Sequence, residues 1–225
     1  MISSFFSPTP KTDSKGNQSS TDRYIAWIDG VGAWLILTGS SVSIGRVNGN
    51  VSPLVKASSS EQEADIALVA NLSRYHAGIK RVDENYVLKP DSTVRIQGRP
   101  ISYETVLPDN CEVTLGESVR LSFSIPTPLS ATARVTFASE HRPRTSVDGV
   151  ILMAETCLLG PSANDHIHCR NWSETIVLVK TPAGIVVKSK QELQIGARRA
   201  RTCDVVSNGQ VVNGDNFRFR LEPLN

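Results

Sequence analysis

The chain predicts an all-β protein built as tandem antiparallel β-sandwiches. Short runs rich in valine, isoleucine and aromatics recur between Gly, Asn, Asp and Pro turns, several alternate apolar and polar residues, and nothing holds a helical period. With 225 residues and 40% hydrophobic content, the chain is long enough for two cores of roughly 100 residues each. Pro126-Thr127-Pro128 divides the runs into two series, because proline removes a ladder donor. The expected organisation is a tail over 1–22, a first sandwich over 23–128 and a second over 129–225.

Residues 1–22 are rich in Ser, Thr, Pro and Lys, with only Phe5-Phe6 to bury. Such a segment does not repay its ordering entropy and is expected to be mobile. From Arg23 the strand runs begin: Tyr24 to Ile28, Ala33 to Leu37, and Val42 to Ile44, with Asp29-Gly30 a hairpin signal. A polar excursion from Val47 to Glu63 is expected to be a long loop. Then follow Ile66 to Val69, Ala77 to Val82, Tyr86 to Leu88, Thr93 to Ile96, Cys111 to Leu115 and Val119 to Ile125.

The second series runs through Val150 to Met153, Cys157 to Leu159, His166 to Cys169, Thr175 to Lys180, Gly184 to Lys188, Glu192 to Ile195 and Phe217 to Leu221. The two series overlay as a weak internal repeat. Ile36-Leu37 leading to Ile44-Gly45-Arg46 parallels Ile151-Leu152 leading to Leu159-Gly160-Pro161, and Ala64-Asp65-Ile66 parallels Asn164 to Ile167.

A net charge of +2 is too mild for a nucleic-acid or anionic-membrane partner, which draws a dense basic stripe. The four cysteines form no C-x-x-C pair, so reduced thiols in a cytoplasmic protein are expected, with no metal or organic cofactor. The absence of a long apolar run or a basic-then-apolar leader agrees with an untethered protein. No nucleophile elbow surrounds Ser73, and His76, His141, His166 and His168 assemble no triad, so no catalysis is expected.

The chemistry concentrates in Ala64 to Ile79 together with Ile44-Gly45-Arg46. Arg46 follows a glycine at a strand end, and a polar turn carries Ser73, Arg74 and His76. A hydroxyl and two guanidinium groups on one loop face suit a phosphate, because arginine presents a planar fork of donors.

These residues resemble the forkhead-associated (FHA) family. The resemblance rests on Gly45-Arg46, on Ser73-Arg74-Tyr75-His76-Ala77 filling a Ser-x-x-His pattern, on Tyr86-Val87-Leu88, and on Leu115-Gly116 before a final strand Val119 to Ile125; it covers roughly 24 to 128. It implies a sandwich of about eleven strands whose end loops bind phosphothreonine peptides. Carried over by position, Arg46 pairs with the phosphate, Ser73 donates its hydroxyl and Arg74 lies beside the peptide backbone. Gly45, His76 and Gly98 brace the loops.

One departure bears on affinity. The family's Asn-Gly-Thr turn is replaced by a shorter Asp91-Ser92-Thr93-Val94, although Gln97-Gly98 keeps the second turn. Thr93 supplies a hydroxyl, but Val94 offers no amide, and losing one such contact costs about 1–3 kcal/mol. In the second unit Pro161 replaces the arginine, and Asn171 to Glu174 stands near the Ser-x-x-His position, so phosphothreonine binding is not expected there.

His166, His168 and Cys169 resemble metal ligands in composition, but no fourth ligand is suitably spaced and a structural cluster is expected. Arg198-Arg199-Ala200-Arg201 reads as a solvated turn, with a docking site for an acidic partner as the alternative. The resulting expectation is a non-catalytic phosphothreonine-peptide adaptor in Ser/Thr kinase signalling. The alternative is a phosphate-independent scaffold of the same fold. The tail, with Thr9, Thr12 and Thr21, has the reach to contact the pocket intramolecularly.

Overall fold

The computed structural model describes residues 23–48, 63–182, 184–200, 203–206 and 209–224. The tail 1–22, with its intramolecular contact, most of the Val47 to Glu63 excursion, and Arg201 lie outside the described residues. Every regular element described is a strand, and none of the described residues forms a helix long and apolar enough to cross a membrane.

The first series supplies β1 (Arg23–Ile28), β2 (Gly32–Leu37), β3 (Ser41–Arg46), β4 (Ile66–Leu68), β5 (Ala77–Val82), β6 (Asn85–Pro90), β7 (Val94–Ile96), β8 (Arg99–Ile101), β9 (Thr105–Val106), β10 (Cys111–Leu115) and β11 (Val119–Ser124). The second supplies β12 (Ala133–Phe137), β13 (Gly149–Leu152), β14 (Thr156–Gly160), β15 (Ile167–His168), β16 (Ile176–Thr181), β17 (Gly184–Lys188), β18 (Leu193–Ile195), β19 (Arg198–Ala200), β20 (Cys203–Val205), β21 (Val211–Asn213) and β22 (Arg218–Leu224).

A twelve-stranded sheet, β19-β18-β21-β22-β1-β2-β13-β12-β11-β10-β7-β8, spans the molecule. Two five-stranded sheets, β4-β3-β5-β6-β9 and β15-β14-β16-β17-β20, cover its opposite faces. Alternation along the central strands assigns those faces, since side chains of a strand point to the two sides in turn. Leu35, Leu37, Val150 and Leu152 join the first core, whereas Ile36, Ile151 and Met153 join the second. This explains why β2 and β13 read as near-continuous apolar runs, a pattern of strands covered on both sides. By contrast β10, covered on one side, alternates: Cys111, Val113 and Leu115 are buried and Glu112 is exposed.

The connectivity differs from a simple tandem. β1 pairs with β22, the last strand of the second series, and β12 pairs with β11, the last strand of the first. Each series thus completes the other's sheet with its first two strands, and β2 and β13 meet in parallel at the middle. Residues 128 and 129 fall between adjacent strands of one sheet. Parallel pairing also joins β3 to β4 and β14 to β15, so the sheets are mixed rather than purely antiparallel.

The repeat is present in topology and one residue out of step with the alignment expected around β2. Ile36 and Ile151 lie side by side and face the same core, so the counterparts of Leu35 and Leu37 are Ile151 and Met153. The buried Tyr86 hydroxyl ties the halves, lying 2.6 Å from Ala131 O and 3.0 Å from Leu152 O, and burial pushes its pKa up to about 12. All four cysteines are free; Cys111, Cys157 and Cys169 are buried and Cys203 is exposed. Burial raises the Cys111 thiol to about 11 and the Cys169 thiol to about 12, which keeps both protonated and weakly nucleophilic at neutral pH.

Candidate functional site

The end of β3 is fastened to the loop that precedes β5. The Arg46 N–H donates to Ser73 O at 3.1 Å, and the His76 N–H donates to Ile44 O at 2.8 Å. Gly45 is required between them because a Cβ there would overlap the Arg74 carbonyl. Arg46 and Ser73 are therefore held as backbone neighbours, with both side chains exposed. Arg74 is half-buried, its guanidinium 5.7 Å from the Tyr75 ring centroid, a separation typical of cation–π contact.

His76 joins this loop to the segment between β6 and β7. Its ring is buried, and Nδ1 accepts the Ser73 N–H at 3.2 Å. Nε2 lies 2.9 Å from Thr93 O and 3.0 Å from the Gly116 nitrogen, and the Gly116 N–H also reaches Thr93 O at 2.8 Å. The Asp91 N–H donates to His76 O at 3.0 Å. Hence Arg46, Ser73, Arg74 and Thr93 occupy one end of the sandwich, with Gly45 and His76 beneath them. The Thr93 side chain is exposed, and Val94 points into the core.

Gly98 is not part of this cluster. With Gln97 at φ 50° and Gly98 at φ 78°, the pair forms the two-residue turn of the β7–β8 hairpin, at the end of β7 remote from Thr93. Beside Thr93 lies an open depression of about 500 Å³ lined by Pro90, Asp91, Ser92, Val94, Pro100, Ile101 and Ser102.

Asp65 is a structural member of the site that the motif reasoning did not single out. Its Oδ2 accepts both the N–H and the hydroxyl of Ser43 at 2.8 Å, and its own N–H donates to Ser43 Oγ at 3.0 Å. This clip fixes the β3–β4 register ahead of the arginine. The signal available in the sequence was a polar pair, Ser43 and Asp65, interrupting apolar strands. In the second unit His166 takes the equivalent place, its Nδ1 accepting the Leu158 N–H at 2.9 Å. His166 is fully buried, and burial together with the Arg134 guanidinium lowers its pKa from 6.5 to about 4.

The second unit has a different set at the corresponding end. Counting back from Ile176, which pairs with Leu159 as Ala77 pairs with Ile44, positions 73 to 76 correspond to Trp172, Ser173, Glu174 and Thr175. This places the segment one residue later than the expected Asn171 to Glu174. Trp172 is buried against Phe217 and Phe219, and buried Glu174 accepts the Ser189 hydroxyl at 3.1 Å and the Lys190 N–H at 3.0 Å. His168 Nε2 lies 3.1 Å from Pro161 O, and Cys169 is directed into the core.

No protein-family model matches this chain, and no curated protein matches it either. Two solved structures are similar. The Rv0020c FHA structure matches 45% of this chain and 91% of its own length at 20% identity, with a TM-score of 0.28. The N-terminal FHA domain from EssC, a component of the bacterial Type VII secretion apparatus, matches 91% of this chain and 95% of its own length at 13% identity, with a TM-score of 0.23. At these scores neither likeness carries weight, and the functional reading rests on the residues described above.

Proposed function

We propose that this chain is a non-catalytic module that binds phosphorylated protein segments, and specifically phosphothreonine, as an adaptor in Ser/Thr kinase signalling. The observation that carries the reading is the locked junction of Arg46 with Ser73 and Arg74. Two guanidinium groups and a hydroxyl are presented on backbone that hydrogen bonds hold in place before any ligand arrives, which lowers the ordering cost of binding. A phosphate adds about −1.5 to −2 charges and three acceptor oxygens, and arginine forks discriminate it from a bare hydroxyl. The depression beside Thr93 gives the rest of the segment a place to lie.

One feature favours a second reading, a phosphate-independent protein-interaction scaffold. The loop from Asp91 to Thr93 offers no side-chain amide to fasten a peptide backbone, and the Thr93 carbonyl is already occupied by His76 and Gly116. The test is retention of a degenerate phosphothreonine peptide library on the full chain, against phosphoserine and unphosphorylated versions. Phosphate-dependent retention lost in Arg46→Ala supports the reader; retention indifferent to phosphate and to Arg46 supports the scaffold.

A further inference from the structure

The first unit closes the outer edge of β4 with chain from the second series. The Val69 N–H donates to Arg142 O at 3.1 Å, and the Arg144 N–H donates to Ala67 O at 3.2 Å, with Leu68 opposite Pro143 in an antiparallel bridge. Pro143 is buried and the flanking arginines are exposed. This cover belongs to the long β12–β13 connection, residues 138–148.

Among the described residues the second unit has the same edge without the cover. β15 pairs with β14 as β4 pairs with β3, so that His168 takes the place of Ala67, Cys169 of Leu68 and Arg170 of Val69. The Cys169 N–H is directed to Gly160 O, which turns the His168 carbonyl and the Arg170 N–H outward. Among the described residues no hydrogen bond to either group occurs. The connection standing where 138–148 stands in the first unit is the short β1–β2 turn, 29–31, which leaves a cavity of about 240 Å³ lined by Asp29, Gly30, Val31, His168, Arg170, Asn171 and Trp172.

We propose that this edge is a docking site for an extended segment of a partner protein with an acidic–apolar–acidic core, added antiparallel to β15. The segment's first residue accepts the Arg170 N–H through its carbonyl, its third donates its N–H to His168 O, and its middle side chain fills the cavity against Val31 and Trp172. Proline is tolerated in the middle, as at Pro143, because that residue makes neither bond. The flanking side chains lie on the outer face beside His168 and exposed Arg170, where the first unit has Ala67 and Val69; this selects acidic flanks. Among the described residues the one carboxylate lining the cavity is Asp29, 3.8 Å from the Arg218 guanidinium.

The experiment titrates the full chain with short fluorescent peptides containing Glu-Pro-Glu, Lys-Pro-Lys, or Glu-Pro-Glu with the last residue N-methylated, while hydrogen exchange is followed at the Arg170 amide. Expected are saturable binding of Glu-Pro-Glu, at least tenfold weaker binding of the other two, slowed exchange at Arg170, and a reversed charge preference in Arg170→Glu, whose exposed side chain the fold does not need. Absence of saturable binding, or a charge preference unchanged in Arg170→Glu, overturns the proposal. So does slowed exchange produced by raising protein concentration alone, which would assign the edge to a second copy of the chain. Arg46→Ala leaves all these results unaltered, which separates this site from the phosphate reader.

Discussion

At the scale of single residues, the candidate site depends on two positions that need not touch ligand. Gly45 sits where any side chain meets the Arg74 carbonyl, so Gly45→Ala forces the Ser73–Arg74 loop away from β3. The expected cost is about 1–3 kcal/mol, as for other overpacked sites, seen in calorimetry as a midpoint lowered by roughly 2–4 °C per kcal/mol together with weakened phosphopeptide binding. His76→Ala leaves the Ser73 N–H without its acceptor and is expected to cost a similar 1–3 kcal/mol or so; a variant with unchanged midpoint would contradict the bracing role. His166 predicts a pH effect. Because its folded pKa lies near 4 against 6.5 for the free side chain, the unfolded chain binds the extra proton first as pH falls through 6.5. The contribution to stability is intact above that pH, is lost progressively down to about 4, and is constant below. His166→Asn, which keeps an acceptor for the Leu158 N–H, is expected to flatten this part of the midpoint-versus-pH curve.

At the scale of elements, the exchange of leading strands makes the halves interdependent. β2 is covered on both faces, with Leu35 in one core and Ile36 in the other, and β11 has its neighbour only in β12 on that side. A fragment of residues 23–128 exposes Ile36 and the edge of β11, and unpaired apolar edges associate. Expected in light scattering and circular dichroism is an associated or unfolded fragment; a monomer with the midpoint of the full chain would show that the hairpin β1–β2 had moved onto β11. Much of the strand pattern was legible in advance, since the Asp29-Gly30 turn, the alternation of β10 and the glycine before Arg46 are local features. The partner of each strand was not, because β1 and β12 present similar apolar patterns to any neighbour and their choice is decided by cores assembled from residues more than a hundred positions apart.

At the scale of the whole molecule, the proposed phosphate-reading end and the edge of β15, uncovered among the described residues, belong to different sheets on opposite faces of the large one. Phosphopeptide affinity is therefore expected to be the same, within about twofold, in Arg170→Glu and in the unaltered chain, since a surface charge in another unit is screened beyond roughly 10 Å of ionic atmosphere. Titration of both proteins with one phosphopeptide checks this. The sequence by itself determined the strand-rich class, the two series, and the candidate residues Arg46, Ser73, Arg74 and His76, because period, turn chemistry and spacing are properties of neighbouring residues. Only the tertiary structure decided that Gly98 stands apart from that group, that Asp65 clips Ser43 on the strand leading to Arg46, that the series share one sheet, and that the edge of β4 is closed while that of β15 is uncovered among the described residues. Those outcomes depend on which backbone hydrogen-bonding groups find partners across long separations, and local pattern does not specify that choice.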